Sequence, residues 1–496
     1  MLRMTRWAGP CAALAAAAMA LPAGADAWAR DAGPEERCGT MLRWNEGAAL
    51  APPSGPETAG FCPLQGTCDS PTVRNGHIPT SQSPILTLTL QINVLCNDDG
   101  SICADGYTRT PLAVADLNND FAGNGISTFD ARLRFVYRLR YINDSRYTSL
   151  VNLSLPNPDD FAMKDQYATS PSSLLNVWVT DLSQTPFRGL STFPWDPLAL
   201  TARGGVIVDD TFWGTAAGGG VFAHEVGHAL GLWHTHRGGT DLEGEPLCHP
   251  CWESPHTFND PLADLTGDFC KDTPATNPNF TCGPPQGNDS LGFCSTGLHW
   301  GWGGWDPSNF MGFAPLVDNC RNHFSREQNG RQRCWLQSAV SGWINRASDT
   351  CAASVLIEEG THFGTTRDFT ATPGVVESIC DQGQDGLVDV WYKYVNGAGG
   401  PVTLSLCRSG TSMDTQVSVT TSCGTPAASE VMCSDDELNC GIFGQHARMT
   451  FQAQPGVAYF IRLTSMNGGV GDYELFVCEG TNGECSPPRI RRATLP

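Results

Sequence analysis

One run of eleven residues constrains this chain more than any other: His224-Glu225-Val226-Gly227-His228-Ala229-Leu230-Gly231-Leu232-Trp233-His234, an H-E-x-x-H-x-x-G-x-x-H pattern without a gap. Residues four apart on a helix share a face, so His224 and His228 present two imidazoles to one metal ion. Glu225, one step round, reaches a water on that metal. Gly231 tolerates positive φ, ends the helix and lets the chain turn back, which brings His234 in as a third ligand. The fourth tetrahedral position stays open for water, and an open position marks a catalytic rather than a structural zinc. At ordinary residue frequencies the pattern arises by chance on the order of 10^-5 times in a chain this long.

The rest of the chain bounds where such a site operates. At 496 residues it is too long for one core, and two to four domains are expected. A formal charge of -21 argues against nucleic acid or an anionic membrane as partner. Arg3 and Arg6, an apolar stretch over 12–21 and the small residues Ala23-Gly24-Ala25 read as an export signal over 1–25, too short to span a bilayer. No later segment is apolar for long enough to span one, so a secreted, extracellular, monomeric protein free of the membrane is expected. Of the 21 cysteines one, Cys11, lies in the signal, and an even number in an exported chain points to disulfides whose pairing the sequence does not give. In that compartment Cys248-His249-Pro250-Cys251 reads as disulfide chemistry rather than a second zinc site.

Residues 26–84, rich in Pro, Gly and polar side chains, read as a loosely structured prosegment. A strand over 85–94, a helix over 111–121 and a strand over 131–141 predict a βαβ start. Two further strands, 175–179 and 205–208, precede the zinc helix, predicted over 221–230 and entered through the glycines 218–220. From His234 to Cys334 the chain is irregular, with the Trp-rich stretch His299-Trp-Gly-Trp-Gly-Gly-Trp305, and needs crosslinks or ions to hold it. A helix over 326–343 closes this part, placing a catalytic domain at 85–349. Beyond it, short alternating segments over 388–394, 402–406, 416–420, 449–453, 458–463 and 473–477 predict an antiparallel sandwich over 356–478, with a solvated tail at 479–496.

With these motifs in view, the zinc run resembles the metzincin clan, and its surroundings resemble the pappalysin family, cytophagalysin branch. The narrower likeness rests on Leu117-Asn118-Asn119-Asp120-Phe121, Gly205-Val206-Ile207-Val208-Asp209, Gly267-Asp268-Phe269-Cys270-Lys271-Asp272-Thr273-Pro274, Asn309-Phe310-Met311-Gly312-Phe313 and Phe324-Ser325-Arg326-Glu327-Gln328, in family order across roughly 85 to 345. It implies an α+β/α/β metzincin catalytic domain, with a twisted mixed sheet, an active-site helix and an irregular disulfide-rich lower subdomain, followed by an all-β sandwich.

The resemblance further implies a zinc metalloendopeptidase acting on protein or peptide substrates. His224, His228 and His234 would hold Zn2+, Glu225 would be general base and acid, and Met311 would form the apolar floor. Asp268 and Asp272 fit either a Ca2+ site, as in family members, or turn and helix caps. Phe313 departs from the family, which has Tyr there; a missing oxyanion donor costs about two to three powers of ten in rate unless another group, such as His299 or His323, supplies it. Glu36-Arg37-Cys38-Gly39-Thr40 resembles a prosegment motif in which the Cys38 thiolate would hold the enzyme latent; a disulfide at Cys38 is the alternative. The C-terminal part resembles the β-sandwich modules of bacterial secreted peptidases, for which binding of substrate, a surface or calcium and a spacer role stay open. The rival from another class is a secreted binding protein built on a degenerate peptidase domain.

Overall fold

In the computed structural model the described residues run from 64 to 480, with 37, 38 and 62 ahead of them, apart from internal stretches of which 238–262 and 290–299 are the longest. The expected signal over 1–25, the residues Cys248, His249 and Cys251, and most of the Trp-rich stretch and of the tail lie outside them. In chain order the N-terminal body contains β1 (Arg37–Cys38), α1 (Pro71–Gly76), β2 (Leu86–Cys96), α2 (Thr110–Ala122), β3 (Leu133–Asn143), α3 (Asp159–Tyr167), β4 (Leu175–Thr180), β5 (Phe187–Ser191) and β6 (Val206–Asp209). The helix α4 (Val221–Ala229), a short pair β7 (Asn288–Asp289) and β8 (Trp300–Gly301), α5 (Arg326–Ser338) and β9 (Ile344–Asn345) follow.

β2 is the spine of this body. Its Leu88, Leu90, Ile92 and Val94 have no exposure on one face, and Thr87, Gln91, Asn93 and Leu95 are buried on the other, as expected of a parallel strand covered on both faces. It pairs in parallel with β3 and β4, and β9 joins its first residues antiparallel. β6 continues the parallel set beyond β4, β5 reverses direction on β6, and β1 lies parallel on β5, giving the order β1-β5-β6-β4-β2-β3. The sheet is therefore mixed: β3, β2, β4 and β6 run one way, and β5, β1 and β9 run the other, with β5 lying beside α4. α2 crosses from β2 to β3 and stops at Gly123, whose φ of 69° is a left-handed cap. The helix expected over 326–343 ends at Ser338. A tight turn over 341–343 then passes Gly342 against the Ser172 backbone, and Trp343 donates its indole N–H to the Pro171 carbonyl at 2.9 Å.

The leader, expected to be loose, is built into the body from Cys62 on. Cys68 is disulfide-bonded to Cys334 in α5, Arg331 of α5 reaches Asp69 at 2.6 Å with both side chains wholly buried, and Arg74 of α1 meets Asp264 and Glu327. A short helix with few apolar residues gives little periodicity; ion pairs and a crosslink to residues 190 or more positions away hold it, which no local pattern reveals.

The C-terminal body contains β10 (Val355–Ile357), β11 (Gly360–Thr365), β12 (Asp389–Val395), β13 (Gly400–Ser405), β14 (Thr415–Thr420), β15 (Glu430–Ser434), β16 (Arg448–Ala453), β17 (Ala458–Ser465) and β18 (Asp472–Glu479). Two sheets, β10-β12-β17-β14-β15 and β11-β18-β13-β16, face each other across a core that includes Val390, Val417, Leu404, Ile461 and Leu475. All pairings are antiparallel except β10 on β12. Cys351–Cys423, Cys380–Cys433 and Cys407–Cys440 staple it. The two bodies touch: Arg132 pairs with Asp472 at 2.7 Å, Arg367 donates to Gln82 at 2.9 Å, and the Thr87 hydroxyl donates to the Phe363 carbonyl. Among the described residues no helix is long and apolar enough to cross a membrane.

Candidate metal centre

The first part of the histidine run, through Ala229, lies in α4, which is buried at every residue and packed between β5, β6 and the chain around Met311. It is entered through Gly220 at φ 93°. Gly227 lets the helix settle on Met311, since a Cβ there would stand 2.7 Å from the methionine sulfur. Gly231 ends it at φ 92°; a side chain at that position would also collide with the Trp335 ring. The turn is fastened by Leu232, whose N–H donates to the Gly227 carbonyl at 2.9 Å, and by Arg331, which donates to the Gly231 carbonyl at 2.7 Å.

This turn brings the three imidazoles together. The Nε2 atoms of His224, His228 and His234 lie 3.0 to 3.1 Å from one another, all three rings essentially without exposure. His224 donates its Nδ1–H to the Phe310 carbonyl at 2.6 Å and His228 to the Leu232 carbonyl at 2.7 Å. Such bonds fix the tautomer and leave the Nε2 lone pairs bare and aimed inward. Burial, and then the neighbouring imidazoles, hold the His224 ring well below its ordinary pKa, hence neutral. Converging lone pairs on neutral, dry imidazoles repel unless a cation lies between them. Ligands about 2.0–2.1 Å from a tetrahedral zinc stand roughly 3.4 Å apart, close to this spacing. The donor set fits zinc.

Glu225 is buried against Gly189 of β5: a Cβ on that glycine would stand 2.5 Å from the Glu225 Cγ and Oε1. Met311 has no exposure; its N–H donates to the Asn309 side chain at 3.0 Å and its carbonyl accepts from Thr235 at 3.2 Å, tying the turn beneath the histidines to the chain beside His234. Asn309 is held in turn by Gln328, which closes the capping box of α5 with Ser325.

Phe313 lines the same site, its ring centroid 4.7 Å from His234 and 4.5 Å from His236. His236, which sequence reasoning passed over, stacks on His234 at 4.8 Å and is 2% exposed. Its signal was there, two positions beyond the last ligand. His323 is not brought to the centre as a donor: its ring nitrogens meet Asn322 and Asp306. His299 lies outside the described residues.

Asp268 and Asp272 act as caps. Asp268 accepts from the Thr273 hydroxyl and the Cys270 N–H, and burial pushes its pKa up to about 7; Asp272 accepts from the Ser325 hydroxyl at 2.6 Å and the Glu327 N–H at 3.0 Å, at the start of α5. Of the two readings open in the sequence, these hydrogen bonds support the caps and give none for calcium there. Cys38 in β1 has Gly189 as its Cα partner across the β1–β5 pairing.

Three inward imidazole nitrogens, a glutamate one helical step away, a turn glycine before the third ligand and a methionine floor, set beside a mixed sheet, define a metzincin-type metalloprotease centre. No family model matches the chain. Over 173 residues it is 33% identical to human pappalysin-1, a match covering 35% of this chain and 10% of that protein, so the chain spans only about a tenth of the relative's length. Among solved structures, a mutant promirolysin of Tannerella forsythia aligns with 54% of this chain and 87% of its own at 18% identity and a TM-score of 0.37. The pre-peptidase C-terminal domain of a Bacillus anthracis collagenase aligns with 27% of this chain and 98% of its own at 15% identity and a TM-score of 0.17. The chain is pappalysin-like, with a metzincin region followed by a β-sandwich.

Proposed function

We propose that this protein is a secreted zinc endopeptidase made as a latent precursor. The observation that carries the reading is the trio of bare Nε2 atoms with Glu225 one step round the helix and packed directly against Gly189 of β5. When bound, zinc polarises the scissile carbonyl and brings the pKa of water towards 7. Glu225 takes the proton of the attacking water on its carboxylate and returns it to the leaving amine. The Phe310 and Leu232 carbonyls keep the imidazoles in the liganding tautomer. An extended peptide adds as a strand along β5, the edge on which Arg37–Cys38 now pairs.

That pairing supports latency, since it sets the leader on the substrate edge with Cys38 opposite the glycine that faces the base. Parity supports it as well. Cys270 is free and buried, so the other nineteen cysteines beyond Cys11 cannot all pair within the chain, and a second free thiol is required. Disulfides and the acidic surface fit an extracellular monomer with no nucleic acid or membrane partner.

Casein digestion with and without a chelator tests the activity, with Glu225→Ala as control. A Glu225→Ala protein that keeps its zinc and cleaves at the wild-type rate would refute the assignment. A second reading, a secreted binding protein on a degenerate peptidase frame, is favoured by Phe313, which brings an apolar ring and no hydroxyl to His234. Intact zinc with no cleavage of any protein substrate would select it.

A further inference from the structure

A second cluster of metal-ligating side chains lies in the sandwich, far in sequence from the histidines. Asp414, just before β14, and Asp435 and Asp436, just after β15, each offer one carboxylate oxygen, and these oxygens lie within 4.8 Å of one another. Calcium holds oxygen ligands at about 2.3–2.6 Å, so two ligands on opposite sides of one ion stand roughly 4.6–5.2 Å apart. The spacing is that of a shared ion.

An independent feature points to the same place. Gln416 is 1% exposed, and neither its amide oxygen nor its amide nitrogen has a hydrogen-bond partner among the described residues. A buried amide left unpaired is costly, about 1–3 kcal/mol for each polar atom. Strand alternation gives its direction. Val417 and Val419 enter the sandwich core, so Gln416 faces the other way, on the side shared with Asp414 two residues earlier. The β14–β15 register pairs Val417 with Ser434, and one step further it sets Gln416 opposite Asp435. The unpaired amide thus shares one face with Asp414 and Asp435 at one end of the strand pair, and Asp436 follows directly after Asp435 with its carboxylate in the same cluster.

The surroundings fix the cluster, with the His446 imidazole beside Asp414 and its pKa pushed down by burial. Cys380–Cys433 and Cys407–Cys440 tie down the chain on either side of Asp435 and Asp436. Of the arginines nearby, Arg462 is taken up by Asp381 and Asp389, and Arg448 meets Glu437 at 3.8 Å. We propose that Asp414, Asp435, Asp436 and the side-chain carbonyl of Gln416 form a calcium site that locks the β14–β15 edge of the sandwich. All-oxygen donors of mixed exposure suit calcium over zinc, and a partly exposed site of this kind binds on the order of 10^-4 to 10^-3 M.

The test uses the full chain carrying Glu225→Ala, stripped of divalent ions, reloaded with zinc and titrated with CaCl2 by calorimetry and thermal melting. One equivalent of calcium is expected, with a raised sandwich melting temperature, and Asp435→Asn/Asp436→Asn should lose at least tenfold in affinity and the shift with it. No calcium uptake at 10 mM, on the order of ten times the weakest expected Kd, or unchanged affinity in the double variant, overturns the site. Hydrogen exchange on the chain with native Asp435 and Asp436 covers the case in which the double variant does not fold. Calcium should protect the peptides around 413–416 and 433–437, and protection confined to other regions overturns the proposal. The peptidase reading is untouched by either result.

Discussion

The Glu225 carboxylate fills the space in front of Gly189: a Cβ on that glycine would stand 2.5 Å from Cγ and from Oε1. Gly189 sits in β5, whose backbone cannot retreat without breaking its pairing to β6. Gly189→Ala must therefore push Glu225 off its position while leaving the three histidines in place. Zinc content should stay at one equivalent and kcat should fall, by up to the ~10^2–10^4 that a positioned general base contributes. Metal analysis alongside casein hydrolysis checks it; full activity in the variant would mean that the carboxylate has room to work elsewhere.

If Cys38 holds the precursor latent, Cys38→Ala should hydrolyse casein before any cut in the leader, whereas the wild-type precursor should need processing. Thiol labelling of the denatured, unreduced precursor should mark two cysteines, Cys270 and Cys38. A Cys38 disulfide found by peptide mapping removes the lock.

How much of this was legible beforehand differs from element to element. The histidine run carried its own geometry, because helical spacing and a glycine turn are local properties. The parallel strands were legible for the same reason, as runs of β-branched and apolar residues. What stayed hidden is held from a distance. Gly189 has no side chain to notice, and its role is visible only once β5 lies beside α4. Cys68 gave no hint of Cys334, and the polar α1 has no apolar stripe because Arg74 is satisfied by Asp264 and Glu327 instead. β15 was missed because an edge strand with Val431 and Met432 exposed has no buried face to create alternation.

Arg132 and Asp472 join the two bodies by a 2.7 Å ion pair with side chains only 9% and 10% exposed. Removing one partner of a buried pair leaves the other charge dry and uncompensated, which costs about 3–5 kcal/mol, whereas replacing both with apolar side chains is near neutral. Asp472→Ala should therefore lower the melting temperature of the peptidase body as well as the sandwich. Arg132→Met/Asp472→Leu should recover most of it. A sandwich acting as an independent spacer would leave the peptidase transition unmoved in both variants, and calorimetry separates the cases.

The sandwich should also lose stability in acid through His362. This ring lies in β11, donates from Nε2 to the Glu358 carbonyl at 2.8 Å, and has no partner for Nδ1 among the described residues. Burial pushes its pKa down from 6.5 to about 4. Between those values the unfolded chain binds a proton at this position and the folded chain does not, so stability is present above pH 6.5 and declines as the pH falls towards 4. At about 1.36 kcal/mol per pH unit the full loss is about 3 kcal/mol. His362→Gln, which keeps a donor for Glu358 but does not titrate, should flatten the dependence in melts taken from pH 4 to 8. An unchanged slope in that variant would mean that other groups govern the acid transition and that the imidazole takes up its proton without unfolding the sandwich.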